Sequence, residues 1–144
     1  MSQTTRTTIL VVDDFLPWWQ FVLEMFESEE ADSSIIYFAA DGLDAVQKAQ
    51  ELQPDVILMD ISLPVMNGFE ATREIRALSP RSKILFVSEH SGSAYIQAAL
   101  AVGASGYILK SDSNADLLRG VVTVLSGQKF VSHSLRDWRK SSDS

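Results

Sequence analysis

Short apolar runs alternate along the chain with longer segments whose apolar residues are spaced as on one face of a helix. The short runs are rich in branched residues, which favours buried β-strands, and they predict strands at 9–12, 35–39, 55–59, 83–87 and 106–109. The longer segments predict helices at about 17–28, 43–52, 69–78, 94–102 and 115–125. Strands that alternate with helices form a parallel sheet covered on both faces. We therefore predict an α/β protein with a doubly wound parallel sheet.

The amino-acid composition limits the number of domains and the kinds of functional site. The chain has 144 residues, 46% of them hydrophobic, which fits one domain with its own core. It contains no cysteine, so disulfides, thiolate metal sites and cysteine nucleophiles are excluded, and a cytoplasmic location is expected. A net charge of −7 argues against nucleic-acid binding by this chain, and no apolar run is long enough to span a membrane. We expect one domain over 1–131 and a polar C-terminal tail or linker start over 132–144.

Chemically reactive side chains stand at the ends of four predicted strands. Asp13 and Asp14 follow the first strand, Asp60 the third, Ser88 the fourth and Lys110 the fifth. In an open α/β sheet the functional site lies beyond the carboxyl ends of the strands, so these side chains should meet at one edge. Three carboxylates that close repel one another unless a cation joins them, and Mg²⁺ suits oxygen ligands shared with a phosphoryl group. The set resembles a phosphoryl-transfer site with a carboxylate nucleophile, a metal, a lysine and a hydroxyl.

Taken singly, these residues also have structural explanations. Asp13 and Asp14 precede Pro17 and could cap a helix. Asp60 could belong to a turn, and Tyr107, three residues before Lys110, could simply fill the core. Their coincidence at one end of the sheet is what favours a site.

Four parts of the sequence carry a resemblance to a known family. They are Val11-Val12-Asp13-Asp14, the block 55–68, the hydroxyl residue Ser88 and the block 103–110. From about residue 8 to about residue 132 the chain resembles a response-regulator receiver domain of two-component signalling. The segment 125–132 is similar to the NarL/FixJ-like branch of that family. The resemblance implies a flavodoxin-like fold with five helices and a five-stranded sheet in the order 2-1-3-4-5.

The resemblance also implies a role for each site residue. Asp60 would be the phosphoacceptor, taking a phosphoryl group from a sensor histidine kinase or a phosphotransfer protein. Mg²⁺ would be bound by three carboxylates, one of them largely through water, and by a backbone carbonyl: Asp60, Asp14, Asp13 and Ser62. Lys110 and Ser88 would contact the phosphoryl oxygens, and Tyr107 would be the switch residue coupled to Ser88. A homodimer on phosphorylation is a further expected assembly, whereas a membrane partner is not expected.

Three residues depart from the family pattern. Glu89 stands directly after the hydroxyl residue, where the family often has Ala or Gly, and could narrow access to Asp60. His90 is unusual at its position and is expected to influence hydrolysis of the phosphoryl group. Ser111 follows the site lysine where many receivers have Pro, so a cis peptide bond is not assured there.

The first predicted helix carries two apolar stripes. One has the spacing of a core-facing stripe and consists of Trp18, Phe21, Val22 and Met25. The other consists of Leu16, Trp19 and Leu23. One stripe is enough to bury a helix on a sheet, so the second is surplus apolar surface. In receivers this helix is where kinase helices dock, and we expect the second stripe to contact a partner. The alternative is that it packs on the final helix or the C-terminal tail.

Other functions compete with a phosphoacceptor receiver. A haloacid-dehalogenase-type phosphatase needs a second Asp two residues after its nucleophile, where this chain has Ser62, so we do not expect an enzyme. A flavodoxin-like carrier needs a Ser/Thr- and Gly-rich phosphate loop after the first strand, which this sequence lacks. An unphosphorylated interaction module does not explain the intact set of site residues. The alternative that stays open is the N-terminal receiver of a NarL/FixJ-type DNA-binding regulator whose output domain is absent from this chain.

Overall fold

The computed structural model of the protein describes residues 6–27 and 34–141, the last two by their backbone alone. The strands are β1 (Thr8–Val12), β2 (Ile35–Ala39), β3 (Val56–Met59), β4 (Lys83–Ser88), β5 (Gly106–Leu109) and β6 (Phe130–Val131). The helices are α1 (Leu16–Glu27), α2 (Gly42–Leu52), α3 (Gly68–Leu78), α4 (Ser93–Ala101), α5 (Ser113–Leu125) and α6 (Trp138–Ser141). Single 3₁₀ turns lie at Lys110–Asp112 and His133–Leu135. No helix in the described ranges is long and apolar enough to cross a membrane. The predicted end of the first helix, near residue 28, lies outside the described residues.

The strands form one sheet in which every neighbouring pair is parallel, in the order β2-β1-β3-β4-β5-β6. The predicted fold class and the order 2-1-3-4-5 are confirmed. β6 is an addition, and its two residues are too few to show a strand pattern in the sequence. The order of strand addition reverses beside β1, so the crevice beyond the ends of β1 and β3 is the place where such sheets bind ligands.

Two separate apolar layers cover the faces of the sheet. In β1, Leu10 and Val12 belong to the layer under α2, α3 and α4, whereas Ile9 and Val11 belong to the layer under α1 and α5. Every residue of β3 is buried. A strand covered on both sides needs apolar residues at every position, which explains why its sequence lacks alternation.

The stripe that α1 turns toward the sheet differs slightly from the predicted one. Trp18 and Val22 are buried as expected, but the third buried residue is Phe26. Phe21 and Met25 are partly buried at the margin of the same layer. Positions 18, 22 and 26 repeat every four residues, so they lie along one line of the helix.

Close backbone contacts fix the loop between β3 and α3. A Cβ on Gly68 would lie 2.1 Å from the carbonyl oxygen of Asp60, so glycine is required where α3 begins. The Gly68 N–H donates to the carbonyl of Ile61 at 2.9 Å. Asn67 caps the helix in a reciprocal capping box with Glu70. These contacts hold the backbone at Asp60 against the start of α3.

Residues 130–141, which we call the C-terminal strap, pack back onto the sheet after α5. β6 pairs with β5, and Ser132 is fully buried. Leu135 is 7% exposed within the apolar layer that α4 covers, and Trp138 packs against that layer. The sequence predicts a polar tail here because the segment has too few apolar residues to show a period. The structure shows that these two side chains anchor it, while the domain boundary at 131 stays a prediction.

Candidate acidic site

The predicted site residues lie at the carboxyl edge of the sheet. Asp13 and Asp14 follow β1, Asp60 follows β3, Ser88 ends β4 and Lys110 follows β5. β1, β3, β4 and β5 are neighbours in this order and run in the same direction, so their ends lie side by side. The parallel ladder continues one residue past β1 and β3, because the N–H groups of Asp13 and Asp60 each donate to a neighbouring strand at 3.0 Å.

Three carboxylates form the centre of the site. Asp13, Asp14 and Asp60 each place a carboxylate oxygen within 4.8 Å of the others. Asp13 is buried, Asp60 is partly buried and Asp14 is exposed. The Ile61 N–H donates to Oδ1 of Asp60 at 2.9 Å and orients that carboxylate. Oxygen ligands grouped in this way suit a hard divalent cation.

The ammonium group of Lys110 lies between two of these carboxylates. Its Nζ is 2.6 Å from Oδ2 of Asp13 and 3.9 Å from Oδ2 of Asp60. The Trp18 ring centroid is 5.1 Å from the same Nζ, and a cation near the face of an aromatic ring is attracted to it. The sequence predicts Trp18 only as a core residue and carries no signal for this contact. The peptide bond from Lys110 to Ser111 is trans, like the others in the described ranges.

Burial raises the pKa of Asp60 from 3.8 to about 6, although the ammonium of Lys110 opposes this change. The carboxylates of Asp13 and Asp14 raise the pKa further, and the hydrogen bond from Ile61 lowers it. At neutral pH Asp60 is therefore ionised at a cost in free energy. A cation beside it would remove that cost, since an opposite charge favours the ionised form.

Ser88 and Tyr107 are connected through the backbone of His90. The His90 N–H donates to Oγ of Ser88 at 3.1 Å, and the Tyr107 hydroxyl donates to the carbonyl of His90 at 2.6 Å. Both side chains are fully buried, and burial raises the pKa of Tyr107 to about 12. The Tyr107 ring is thus directed inward and is attached to the loop that follows β4.

A cavity of about 370 Å³ leads to the acidic site. Residues of its lining include Asp14, Asp60, Ser62, Ser88, Glu89 and His90. Nε2 of His90 lies 3.3 Å from Oγ of Ser62, and its ring stacks on Tyr95 with 4.2 Å between centroids. Glu89 and His90 therefore lie beside the site, whereas their effects on access and hydrolysis stay predictions.

The second apolar stripe of α1 divides into exposed and packed residues. Leu16 is 67% exposed. The Trp19 indole stacks on Phe38 of β2 at 4.7 Å and donates to the carbonyl of Asp13 at 2.7 Å. Leu23 is partly buried and lines a small cavity beside β2. The expectation that Trp19 is surplus surface is therefore wrong, because its ring packs on β2 within the apolar layer under α1 and α5. Partner binding by this stripe stays a prediction.

A parallel sheet with an acidic cluster and a lysine at its carboxyl edge agrees with the receiver fold that the sequence resembles. Residues 9–122 match the family described as the response regulator receiver domain. The match covers most of the chain, so the protein belongs to the response regulator receiver domain family of two-component signalling. This confirms the resemblance that the sequence carries.

Curated relatives of the chain are transcriptional and oxygen regulators. The chain is 40% identical over 117 residues to the transcriptional regulatory protein LnrK of Bacillus subtilis strain 168, covering 78% of this chain and 52% of LnrK. It is 38% identical over 112 residues to the oxygen regulatory protein NreC of Staphylococcus aureus strain JH9, covering 77% of this chain and 52% of NreC. The chain thus spans about half the length of these relatives.

Solved structures show the same fold. A two-component response regulator of the LuxR family from Aurantimonas sp. SI85-9A1 superposes with a TM-score of 0.87 at 30% identity, covering 97% of this chain and 100% of that one. This likeness supports the predicted NarL/FixJ-like branch. The receiver domain of the sensor histidine kinase PA1611 from Pseudomonas aeruginosa PAO1 superposes with a TM-score of 0.75 at 30% identity, covering 85% and 99% of the two chains. That structure is described with a magnesium ion coordinated in its active site cleft.

Proposed function

We propose that the protein accepts a phosphoryl group on Asp60 from a sensor histidine kinase or a phosphotransfer protein. The observation that carries this proposal is the group of three carboxylates with the Lys110 ammonium between two of them. Asp60 suits the role of nucleophile because it lines the cavity. Asp13 is less available as a nucleophile, since one of its oxygens accepts from the Phe15 N–H at 3.0 Å and the other pairs with Lys110.

The same site fits Mg²⁺. Asp13, Asp14 and Asp60 offer carboxylate oxygens, Asp13 largely through water, and the backbone carbonyl of Ser62 is the further ligand. The donors are all oxygens, as Mg²⁺ prefers, and a cation would offset the mutual repulsion of the three grouped carboxylates. When bound, Mg²⁺ neutralises charge that develops on the phosphoryl oxygens.

Phosphoryl transfer forms one bond and breaks one. A carboxylate oxygen of Asp60 forms a bond to phosphorus, and the bond between phosphorus and the donor's imidazole nitrogen breaks. The electron pair of the broken bond stays on the imidazole, which carries a proton on its other nitrogen and leaves as a neutral ring. Lys110, already 3.9 Å from Asp60, balances charge on the phosphoryl oxygens.

The new phosphoryl group adds charge and acceptor oxygens within reach of Ser88. A hydrogen bond from the Ser88 hydroxyl to a phosphoryl oxygen would shift the loop after β4. Because Tyr107 donates to the carbonyl of His90 in that loop, the shift would reach the ring of Tyr107. Ser88 and Tyr107 therefore form the switch, and the protein acts by contacts with partners rather than as an enzyme on external substrates.

The experiment uses phosphoramidate as phosphodonor with Mg²⁺ and separates the phosphorylated chain on a phosphate-affinity gel. We expect a retarded band for the wild type, its loss on chelation of Mg²⁺ and its loss in Asp60→Asn. Asp55→Asn is the matched control, because Asp55 precedes the opposite end of the same strand, β3. Undiminished labelling of Asp60→Asn would refute the assignment of the phosphoacceptor.

A second candidate is the N-terminal receiver of a NarL/FixJ-type DNA-binding regulator. It is favoured by the curated relatives, which are about twice as long as the aligned region and include a transcriptional regulator. In either case we propose a cytoplasmic location, dimerisation on phosphorylation and no DNA binding by this chain alone, given its net charge of −7. Retardation of DNA by the isolated chain in a gel-shift assay would contradict the last point, and size-exclusion chromatography with beryllofluoride tests the dimer.

A further inference from the structure

The C-terminal strap contacts the chain on both sides of the site lysine. Before Lys110, the N–H of Leu109 donates to Oγ of Ser132 at 3.0 Å. After it, the hydroxyl and the N–H of Ser134 both donate to Oδ2 of Asp112, at 2.5 and 3.2 Å. Two serines of the strap therefore bond to the residues that flank Lys110, one to a backbone N–H and the other to a carboxylate.

A second contact docks the strap on the first turn of α5. The N–H and Nδ1 of His133 lie 2.8 Å from Oδ2 of Asp116, whose other oxygen is 3.3 Å from Arg119. Asp112 and Asp116 are 7% and 1% exposed. Burial alone would raise the pKa of Asp112, but hydrogen bonds, with that from Ser134 the largest, hold its pKa below the usual value. The strap thus supplies the donors that these buried carboxylates need.

The turn that carries Lys110 has little rigidity of its own. Lys110–Asp112 is one 3₁₀ turn, closed by the Ser113 N–H on the carbonyl of Lys110. Such short turns are weak in isolation. Residue 111 is Ser, so no proline ring restricts the backbone directly after the lysine. The bonds from the strap to Leu109 and Asp112 supply the restraint instead.

We propose that the C-terminal strap positions Lys110 for the phosphoryl group, with Ser134 and Asp112 as positioning residues. This inference rests on the proposed function. Lys110 now pairs with Asp13 at 2.6 Å and stands 3.9 Å from Asp60, so it must keep its place to meet oxygens added to Asp60. Thermodynamic linkage makes this effect reciprocal. If docking of the strap raises the affinity of the site for a phosphoryl group by some factor, the bound phosphoryl group raises the docking equilibrium of the strap by the same factor. Phosphorylation therefore strengthens docking of the strap along β5.

The test compares Ser134→Ala with the wild type by fluorine NMR titration of beryllofluoride at saturating Mg²⁺. Ser134 is exposed, and the change removes one hydroxyl without opening the core. We expect beryllofluoride affinity to fall about fivefold or more, while Mg²⁺ affinity does not fall, because Lys110 is not a metal ligand. Ser134→Thr should restore the affinity. Ser126→Ala is the control, since it removes a hydroxyl bonded to the Thr123 carbonyl away from the strap.

Hydrogen exchange gives the reciprocal measurement. In the wild type, beryllofluoride with Mg²⁺ should slow amide exchange in the strap, and Ser134→Ala should remove that effect. Equal losses of Mg²⁺ and beryllofluoride affinity would show a merely structural strap, and unchanged beryllofluoride affinity would show that the strap does not position the lysine. Either result overturns the inference while leaving the proposed function intact. Failure of the wild type to bind beryllofluoride at all would instead overturn the proposed function.

Discussion

Replacing Asp60 by Asn should stabilise the protein in the absence of Mg²⁺. The rise in pKa from 3.8 to about 6 means that the folded state pays to keep this carboxylate ionised. The shift corresponds to at most about 3 kcal/mol at neutral pH. The Asp60 side chain retains 12% of its exposure, and solvent screening reduces the effect, so we expect about 1–2 kcal/mol. For a chain of this length that is an increase in Tm of about 3–6 °C.

The pH dependence of this effect has a definite sign. Because the folded-state pKa is raised, the folded protein binds the proton more tightly than the unfolded chain does. The wild type therefore loses stability as pH rises from 3.8 to about 6, and above that range the loss is complete. The advantage of Asp60→Asn should be full at pH 7.5 and about half as large at pH 5.

Thermal unfolding of the wild type and Asp60→Asn at pH 5 and pH 7.5, with and without Mg²⁺, measures the stability difference and its pH dependence. Mg²⁺ should raise the Tm of the wild type by binding the folded state, and should raise that of Asp60→Asn much less. Glu74→Gln, which removes an exposed carboxylate of α3, is the control and should show neither effect. A Tm of Asp60→Asn equal to or below that of the wild type at pH 7.5 without Mg²⁺ would refute the reasoning.

Three further predictions concern packing around the site. Trp19→Ala should lower the free energy of unfolding by about 2–4 kcal/mol, measured by thermal unfolding. Leu16→Ala should change that free energy by less than about 0.5 kcal/mol but should slow phosphotransfer from the kinase. Equal transfer rates for Leu16→Ala and the wild type would show that Leu16 does not contact the kinase. Tyr107→Phe should lose about 1 kcal/mol in urea unfolding, because it deletes the hydrogen bond to the His90 carbonyl, and unchanged stability would mean that this bond is absent in solution. Gly68→Ala should lower both the free energy of unfolding and the Mg²⁺ affinity, because its Cβ would lie 2.1 Å from the carbonyl oxygen of Asp60. A Mg²⁺ affinity equal to that of the wild type would contradict this.

The sheet was predictable because its strands follow simple physical rules. A central parallel strand is buried on both faces, so β3 is apolar throughout and ends abruptly at Asp60. Parallel strands also place their carboxyl ends at one edge. These two facts predict from the sequence that Asp13, Asp14, Asp60 and Lys110 lie together.

The surroundings of the lysine could not be predicted in the same way. Trp18 has core spacing in the sequence, and its contact with Lys110 depends on where α1 crosses the end of the sheet. Trp19 lies on the side of the helix that a helical wheel leaves free, but Phe38 of the edge strand β2 covers it. A wheel describes one helix and contains no information about how far the neighbouring strand extends.

The docking of the strap was even harder to predict from the sequence, since it depends on polar contacts, which leave no periodic pattern of apolar residues. Asp112 and Asp116 fit the acidic first turn of a helix, and Ser134 fits a polar tail, so neither group alone indicates a contact. Their pairing requires the chain to return beside β5 after α5, and the two-residue β6 with the packed side chains of Leu135 and Trp138 brings it there. The acidic residues of the site are thus specified by strand ends, whereas the residues that bond to the flanks of its lysine lie more than twenty positions later in the chain.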